Sequence, residues 1–284
     1  MAQSPSVAAP EPGAVIYRQS LWTRMTHWVW AICLFFLLLT GLQIFNARPT
    51  LNIGLETGFE YDNAVLEIGA RDTPDGPQGF TRLLGYEIDT TGLLGWSGNE
   101  ADGYSAQAFP SWATIPSNRS LASGRIVHFF FAWILVVTLA VWLVASLFNR
   151  HIRDLAIRRA DLAALPTDIA NHARLRFHHS RDYNVLQKLA YAGVLFVLFP
   201  LIILTGLSMS PAFNSVAPWL LDIFGGRQSA RTIHFLVMAL LVGFFVIHML
   251  MILAAGPLNE LRSILTGWYR IDPETGKESG NGRV

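Results

Sequence analysis

The stretch Arg231-Thr-Ile-His234-Phe-Leu-Val-Met-Ala-Leu-Leu-Val-Gly-Phe-Phe-Val-Ile-His248 decides how this chain is read. Its interior is apolar, histidines stand fourteen residues apart, and an arginine lies three residues before the first of them. Fourteen residues of α-helix rise about 21 Å, and the accumulated rotation returns to within about 40° of the starting direction. His234 and His248 therefore share one helix face at two depths. The opening motif recurs in Arg24-Met-Thr-His27-Trp28 and Arg125-Ile-Val-His128-Phe129. An ionisable side chain inside an apolar span is costly and calls for a function. Four histidines placed this way can supply paired axial ligands to two haem irons.

The 284 residues are 52% hydrophobic and 14% charged, against about 25% charged in a soluble domain. Runs near 28–45, 126–148, 189–207 and 233–255 reach the roughly 20 apolar residues needed to cross a ~30 Å hydrocarbon layer. The expected fold is an all-α membrane protein, a bundle of four transmembrane helices. A long loop over 46–124 is rich in Gly, Pro, Asp and aromatics, which suggests short strands or turns forming a cap. The 149–184 connection reads as a surface helix over 152–164, then Pro166, then a short stretch to Phe177. Pro200 is expected to kink the third segment. Residues 1–24 read as a disordered or interfacial lead and not a cleaved signal, 25–270 as the di-haem membrane domain, and 271–284 as a flexible tail.

Charge sets the orientation. Four crossings put the N-terminus, the 149–184 connection and the C-terminus on one side, with Arg18, Arg24, Arg150, Arg153, Arg158 and Arg159 among their basic residues. The opposite side holds Glu56, Glu60, Asp62, Glu67, Asp72 and Asp75. Lys and Arg mark cytoplasmic loops. The expectation is a bacterial inner-membrane protein with both termini cytoplasmic and an acidic periplasmic loop. Lipid is an expected partner and nucleic acid is not.

Cys33 is the single cysteine, so neither an intrachain disulfide nor a Cys-x-x-Cys-His haem attachment is available. Any haem is b-type. Depth then pairs the histidines. His27 and His248 fall at the cytoplasmic level, His128 and His234 at the periplasmic one, and each pair can ligate one iron. Leu39-Thr40-Gly41-Leu42 and Leu204-Thr205-Gly206-Leu207 close the first and third segments, a degenerate repeat that fits two hairpins of one design. Gly41, Gly206 and Gly243 offer the close backbone approach that a flat macrocycle inside a bundle needs. Arg24, Arg125 and Arg231 could pair with haem propionates, or anchor helix ends at the interface. His151, His172, His178 and His179 read as solvated polar residues, and Met209, Met238, Met249 and Met251 as packing.

These residues resemble the cytochrome b subunits of respiratory formate dehydrogenases, thiosulfate reductases and nickel-iron hydrogenases. The elements are Arg24-x-x-His27-Trp28, Thr40-Gly41, His128, the His234/His248 spacing, and Tyr183-Asn184-x-x-Gln187-Lys188. The resemblance covers all four segments and is weak or absent over 46–110, where the loop exceeds that of compact members. It implies two haems b and an exchangeable quinone held near Asn184, with Gln187, Lys188 and His248 as neighbours; Asn184, just before the apolar run, also suits an N-cap of the third helix. It also implies a periplasmic oxidoreductase partner, a molybdenum enzyme of the formate dehydrogenase or hydrogenase type. Stretches 255–260 and 266–269 look like those of subunits that serve periplasmic molybdenum enzymes.

The expected function is electron transfer across the membrane between that partner and the quinone pool, as the anchor subunit of a respiratory complex. The alternatives are a stand-alone b561-type reductase and, from other classes, a metal transporter or a passive anchor. No carboxylate lies inside any span to favour a metal path.

Overall fold

The computed structural model describes residues 14–58, 61–99, 103–148, 159–174 and 185–271. Its helices are α1 (Leu21–Phe45), α2 (Leu121–Phe148), α3 (Arg159–Ala173), α4 (Val185–Ser208), α5 (Pro211–Val216), α6 (Trp219–Ile223), α7 (Arg227–Ala255) and α8 (Pro257–Thr266). Four of them, α1, α2, α4 and α7, are long and apolar enough to cross a membrane. Their apolar side chains mostly face outward, and only 6% of the most apolar stretch of α7 is buried within the protein. A helix apolar all round needs an apolar solvent, which lipid provides.

The first two helices start earlier than their apolar runs because serines cap them. Ser20 Oγ accepts from the Thr23 amide at 3.1 Å, and Ser120 Oγ from the Ser123 amide at 3.3 Å. Each satisfies an amide that the helix itself leaves without a partner. Arg24 and Arg125 consequently lie inside their helices, one turn before His27 and His128. In α4 a π-helical turn (Val194–Leu198) stands immediately ahead of Pro200. A proline removes one rung of the hydrogen-bond ladder, and a widened turn is a common way to absorb such an interruption. The surface helix differs from expectation: α3 runs straight through Pro166 to Ala173 instead of stopping before it. Residues 149–158 and 175–184 lie outside the described residues, and with them His151, His178, His179 and Asn184.

The described chain forms two compact units. The first comprises Met1–His27, His151–Ala192 and Phe245–Val284. Here β1 (Val15–Tyr17), expected within an unstructured lead, pairs antiparallel with β8 (Trp268–Arg270), Ile16 opposite Tyr269. Tyr269 is buried, donates its hydroxyl to Glu260 Oε1 at 3.1 Å, and has the Arg18 guanidinium 4.4 Å from its ring centre. Burial and the Glu260 charge push the Tyr269 hydroxyl well above the usual phenol range, with Arg18 acting in the opposite sense. Asp168 Oδ2 accepts from the Val185 amide at 2.9 Å, so a carboxylate of α3 caps the start of α4.

The second unit comprises Trp28–Arg150 and Gly193–Phe244. Its 46–124 loop carries strands, so the all-α description holds for the membrane helices only. Strands β2 (Thr50–Asn52), β3 (Ala64–Thr73), β4 (Gly76–Leu83) and β5 (Tyr86–Asp89) form an antiparallel sheet in that order, and β6 (Gly95–Asn99) pairs with β7 (Gly103–Gln107). The register sets Leu66 opposite Leu83 and Ile68 opposite Thr81. Phe45, Leu51, Ile68 and Ala108 make a small buried core on which Phe109 and Phe235 pack. The cap is therefore built around the end of α1 and the head of α7. Polar bonds follow the same line. The Asn46 amide exchanges two hydrogen bonds with the Phe109 backbone, and Gln43 Nε2 donates to the Asn118 carbonyl at 2.7 Å.

Candidate functional site

Helix geometry brings the four histidines together as two pairs. In the first unit the rings of His27 and His248 have centroids 6.4 Å apart and planes inclined by 51°. In the second unit those of His128 and His234 are 6.5 Å apart and inclined by 54°. Two imidazoles in direct hydrogen bonding, with nitrogens about 3 Å apart, would bring their centroids to about 5 Å. Two imidazole nitrogens on one metal, each at about 2 Å, set the centroids at about 6 Å. Both pairs have the wider spacing, which suits one iron between two rings. The donor set also suits haem iron, since neutral imidazole is a common axial ligand.

The His128/His234 pair shows how its rings are held. Thr40 Oγ1 lies 3.0 Å from His128 Nδ1, and Thr205 Oγ1 lies 3.0 Å from His234 Nδ1. Each threonine also bonds back along its own helix, Thr40 to the Phe36 carbonyl at 2.6 Å and Thr205 to the Leu201 carbonyl at 2.7 Å. Both threonines are fully buried. The glycines that follow them complete the seat. A methyl group added at Gly41 would meet His128 Cε1 at 3.6 Å, and one at Gly206 would meet His234 Cε1 at 3.3 Å. At Gly41 and Gly206 the nearest protein atoms are thus those of the imidazoles. At Gly243 no protein atom lies within 4 Å of such a methyl.

The Thr-Gly repeat visible in the sequence is therefore a repeat of half-sites. The first comes from α1 and α2, the second from α4 and α7. Sequence reading singled out Thr40 and Thr205 as a repeat but missed their contact with the histidines. The available signal was that each Thr-Gly closes the helix preceding the one that opens with Arg-x-x-His.

The arginines of the motif have distinct settings. Arg231 donates to the Thr50 carbonyl at 2.8 Å and to the Arg48 carbonyl, and its guanidinium lies 5.5 Å from the Phe45 ring centre. Arg24 Nη1 donates to the Leu265 carbonyl at 2.5 Å. Arg125 lies 5.7 Å from the ring centre of Phe129 on its own helix. The first two bind backbone, a role the sequence did not suggest. Trp30 donates its indole N–H to Thr138 Oγ1 at 3.0 Å and packs edge-on against Trp142 and Phe199, giving the second unit an aromatic interior. Gln187 and Lys188 lie in the first turn of α4 and are half-buried. Asn184, just before them, falls outside the described residues. His172 Nδ1 is 2.8 Å from the Asp168 carbonyl, a local helix contact and not a ligand geometry.

Residues 160–267, a segment that includes Thr205, His234 and His248, match the family described as prokaryotic cytochrome b561. The chain is also similar to the "Putative protein-methionine-sulfoxide reductase subunit YedZ1" of Azospira oryzae, 24% identical over 234 residues, spanning 81% of this chain and 87% of that protein.

Proposed function

We propose that this chain is a b-type cytochrome that carries electrons across a membrane, serving as the membrane subunit of a redox complex. The observation that carries this reading is the pair of histidine pairs, with ring centroids 6.4 Å and 6.5 Å apart. The match of residues 160–267 to the b561 family supports haem b as the cofactor. Two haems b, held by His27 with His248 and by His128 with His234, would supply one-electron couples. The residues themselves bind, orient and shield; no acid–base step is assigned to the histidines.

The relative's name supports a subunit role beside a catalytic partner. That name is of a methionine-sulfoxide reductase subunit, so it lends nothing to the formate dehydrogenase or hydrogenase type of partner expected from the sequence. The partner class proposed here is a periplasmic oxidoreductase that exchanges electrons with this subunit. Orientation rests on charge: the basic 149–184 connection and both termini are assigned to the cytoplasm. A quinone site is assigned to Asn184, Gln187, Lys188 and the neighbouring His248. Asn184 offers a carboxamide that can hydrogen-bond a quinone carbonyl. Arg24, Arg125 and Arg231 are the propionate candidates: a guanidinium has five N–H donors, and the carbonyl contacts of Arg24 and Arg231 use only some of them.

The test is a reduced-minus-oxidised spectrum of the purified full chain in detergent, followed by addition of a soluble quinone analogue. A sharp bis-histidine haem b α-band that the quinone discharges is the expected result. No α-band in haem-replete membranes would overturn the reading.

A further inference from the structure

Both imidazoles of the His128/His234 pair are bonded to a hydroxyl whose own hydrogen is already committed. Thr40 has one O–H, and its 2.6 Å contact is with the Phe36 carbonyl, which can only accept. Thr205 repeats this with the Leu201 carbonyl at 2.7 Å. Toward the imidazole each oxygen is therefore an acceptor, and the Nδ1 that faces it at 3.0 Å carries the hydrogen. The arrangement occurs twice, once between α1 and α2 and once between α4 and α7.

We propose that Thr40 and Thr205 are positioning residues that fix His128 and His234 as Nδ1–H tautomers, leaving Nε2 of each ring as the donor to iron and holding the two ring planes at 54°. The proposal rests on the haem reading given above. It goes beyond it in naming what sets the tautomer, the ring angle and the electronic character of the ligands. Gly41 and Gly206 let the rings lie against the helix backbone, so that the threonine bond and the glycine seat act on one imidazole together. The acceptors are neutral. A carboxylate at Nδ1–H makes a histidine a more basic ligand, which favours the ferric state. A hydroxyl does so less, and an apolar group not at all. Replacing either threonine by valine therefore weakens donation to iron and raises the reduction potential of that haem.

The experiment uses the haem-loaded full chain in detergent with Thr40→Val, Thr205→Val, Thr40→Ser and Thr205→Ser. Readouts are haem per protein, the low-spin EPR gmax values and the midpoint of each haem component. Expected for each valine variant is a shifted gmax and an upward-shifted midpoint in one component, the same one for Thr40 and Thr205, with the other unmoved. Serine restores both values toward those of the native chain. Unchanged gmax and midpoint in the valine variants overturn the proposal, as does a serine variant that behaves like valine, since methyl packing would then be responsible. Loss of that haem in the valine variant with retention in serine supports the proposal, and loss in both overturns it. A native chain that binds no haem removes the functional reading instead. The tautomer is then read by ¹⁵N NMR of the haem-free chain, where Nδ1–H in the native protein and mixed tautomers in the valine variants support the assignment, and mixed tautomers in the native protein overturn it.

Discussion

The guanidinium of Arg231 donates to the carbonyl of Thr50 at 2.8 Å, fastening β2 to the head of α7 three residues before His234. Neighbouring bonds extend the seam: Thr232 Oγ1 donates to the Asn52 carbonyl at 2.7 Å, and Ser229 Oγ accepts from the Gly54 amide at 2.8 Å. A cap built from a loop is thereby tied to the helix that carries two of the four histidines.

Arg231→Ala should loosen this seam. Hydrogen bonds from a charged donor are worth about 1.5–3 kcal/mol each in net terms, and partial exposure puts the expected loss near the lower value. Limited proteolysis should show faster cleavage within 46–124, while the haem α-band is retained. Loss of one haem with an intact cap would instead assign Arg231 to a propionate.

The two glycine seats differ in tightness. An alanine methyl at Gly41 would sit at ordinary contact from His128 Cε1, 3.6 Å, whereas at Gly206 it would crowd His234 Cε1 at 3.3 Å. Gly206→Ala should therefore perturb the spectrum of the His128/His234 component more than Gly41→Ala does. Equal effects, or a larger one at Gly41, would show that the rings are not seated on these glycines.

The long apolar helices and the grouping of the histidines are legible in the sequence because both rest on local spacing: an Arg three residues before a His, and fourteen residues between His234 and His248. Bonds between distant residues are not. Thr40 and His128 are 88 residues apart, and a threonine in an apolar run looks like any tolerated polar residue until the partner helix is in place. Ser20 and Ser120 lie ahead of the apolar runs, and their side-chain caps let α1 and α2 begin before those runs. At Pro166 the expected break does not occur, since proline discourages helix without forbidding it. The strands of the cap were anticipated only as a kind of structure. Their register depends on turns such as Thr73–Gly76, where Thr73 Oγ1 bonds the Gly76 carbonyl at 2.6 Å, and not on a clear apolar alternation.

The carboxylate of Asp168 is an inter-helix cap for α4. Asp168→Ala should cost about 1 kcal/mol and speed hydrogen exchange of the Val185 amide. Asp168→Asn keeps an acceptor and should recover most of the protection. Unaltered exchange in the alanine variant would mean that the cap contributes nothing.

Asn184 is the proposed quinone contact. Asn184→Ala should leave both haem spectra intact and slow reoxidation of the reduced protein by a quinone analogue by tenfold or more, about 1.4 kcal/mol. Normal reoxidation in a well-folded variant would move the site elsewhere.

The central claim is that four histidines make two ligand pairs, His27 with His248 and His128 with His234. Low-temperature difference spectra of the four single His→Ala variants, each normalised to haem per chain, test it directly. About two haems b are expected in the native chain. His128→Ala and His234→Ala should lose one and the same spectral component, and His27→Ala and His248→Ala should both lose the other. A native ratio near one, or two variants of one pair that lose different components, would contradict it.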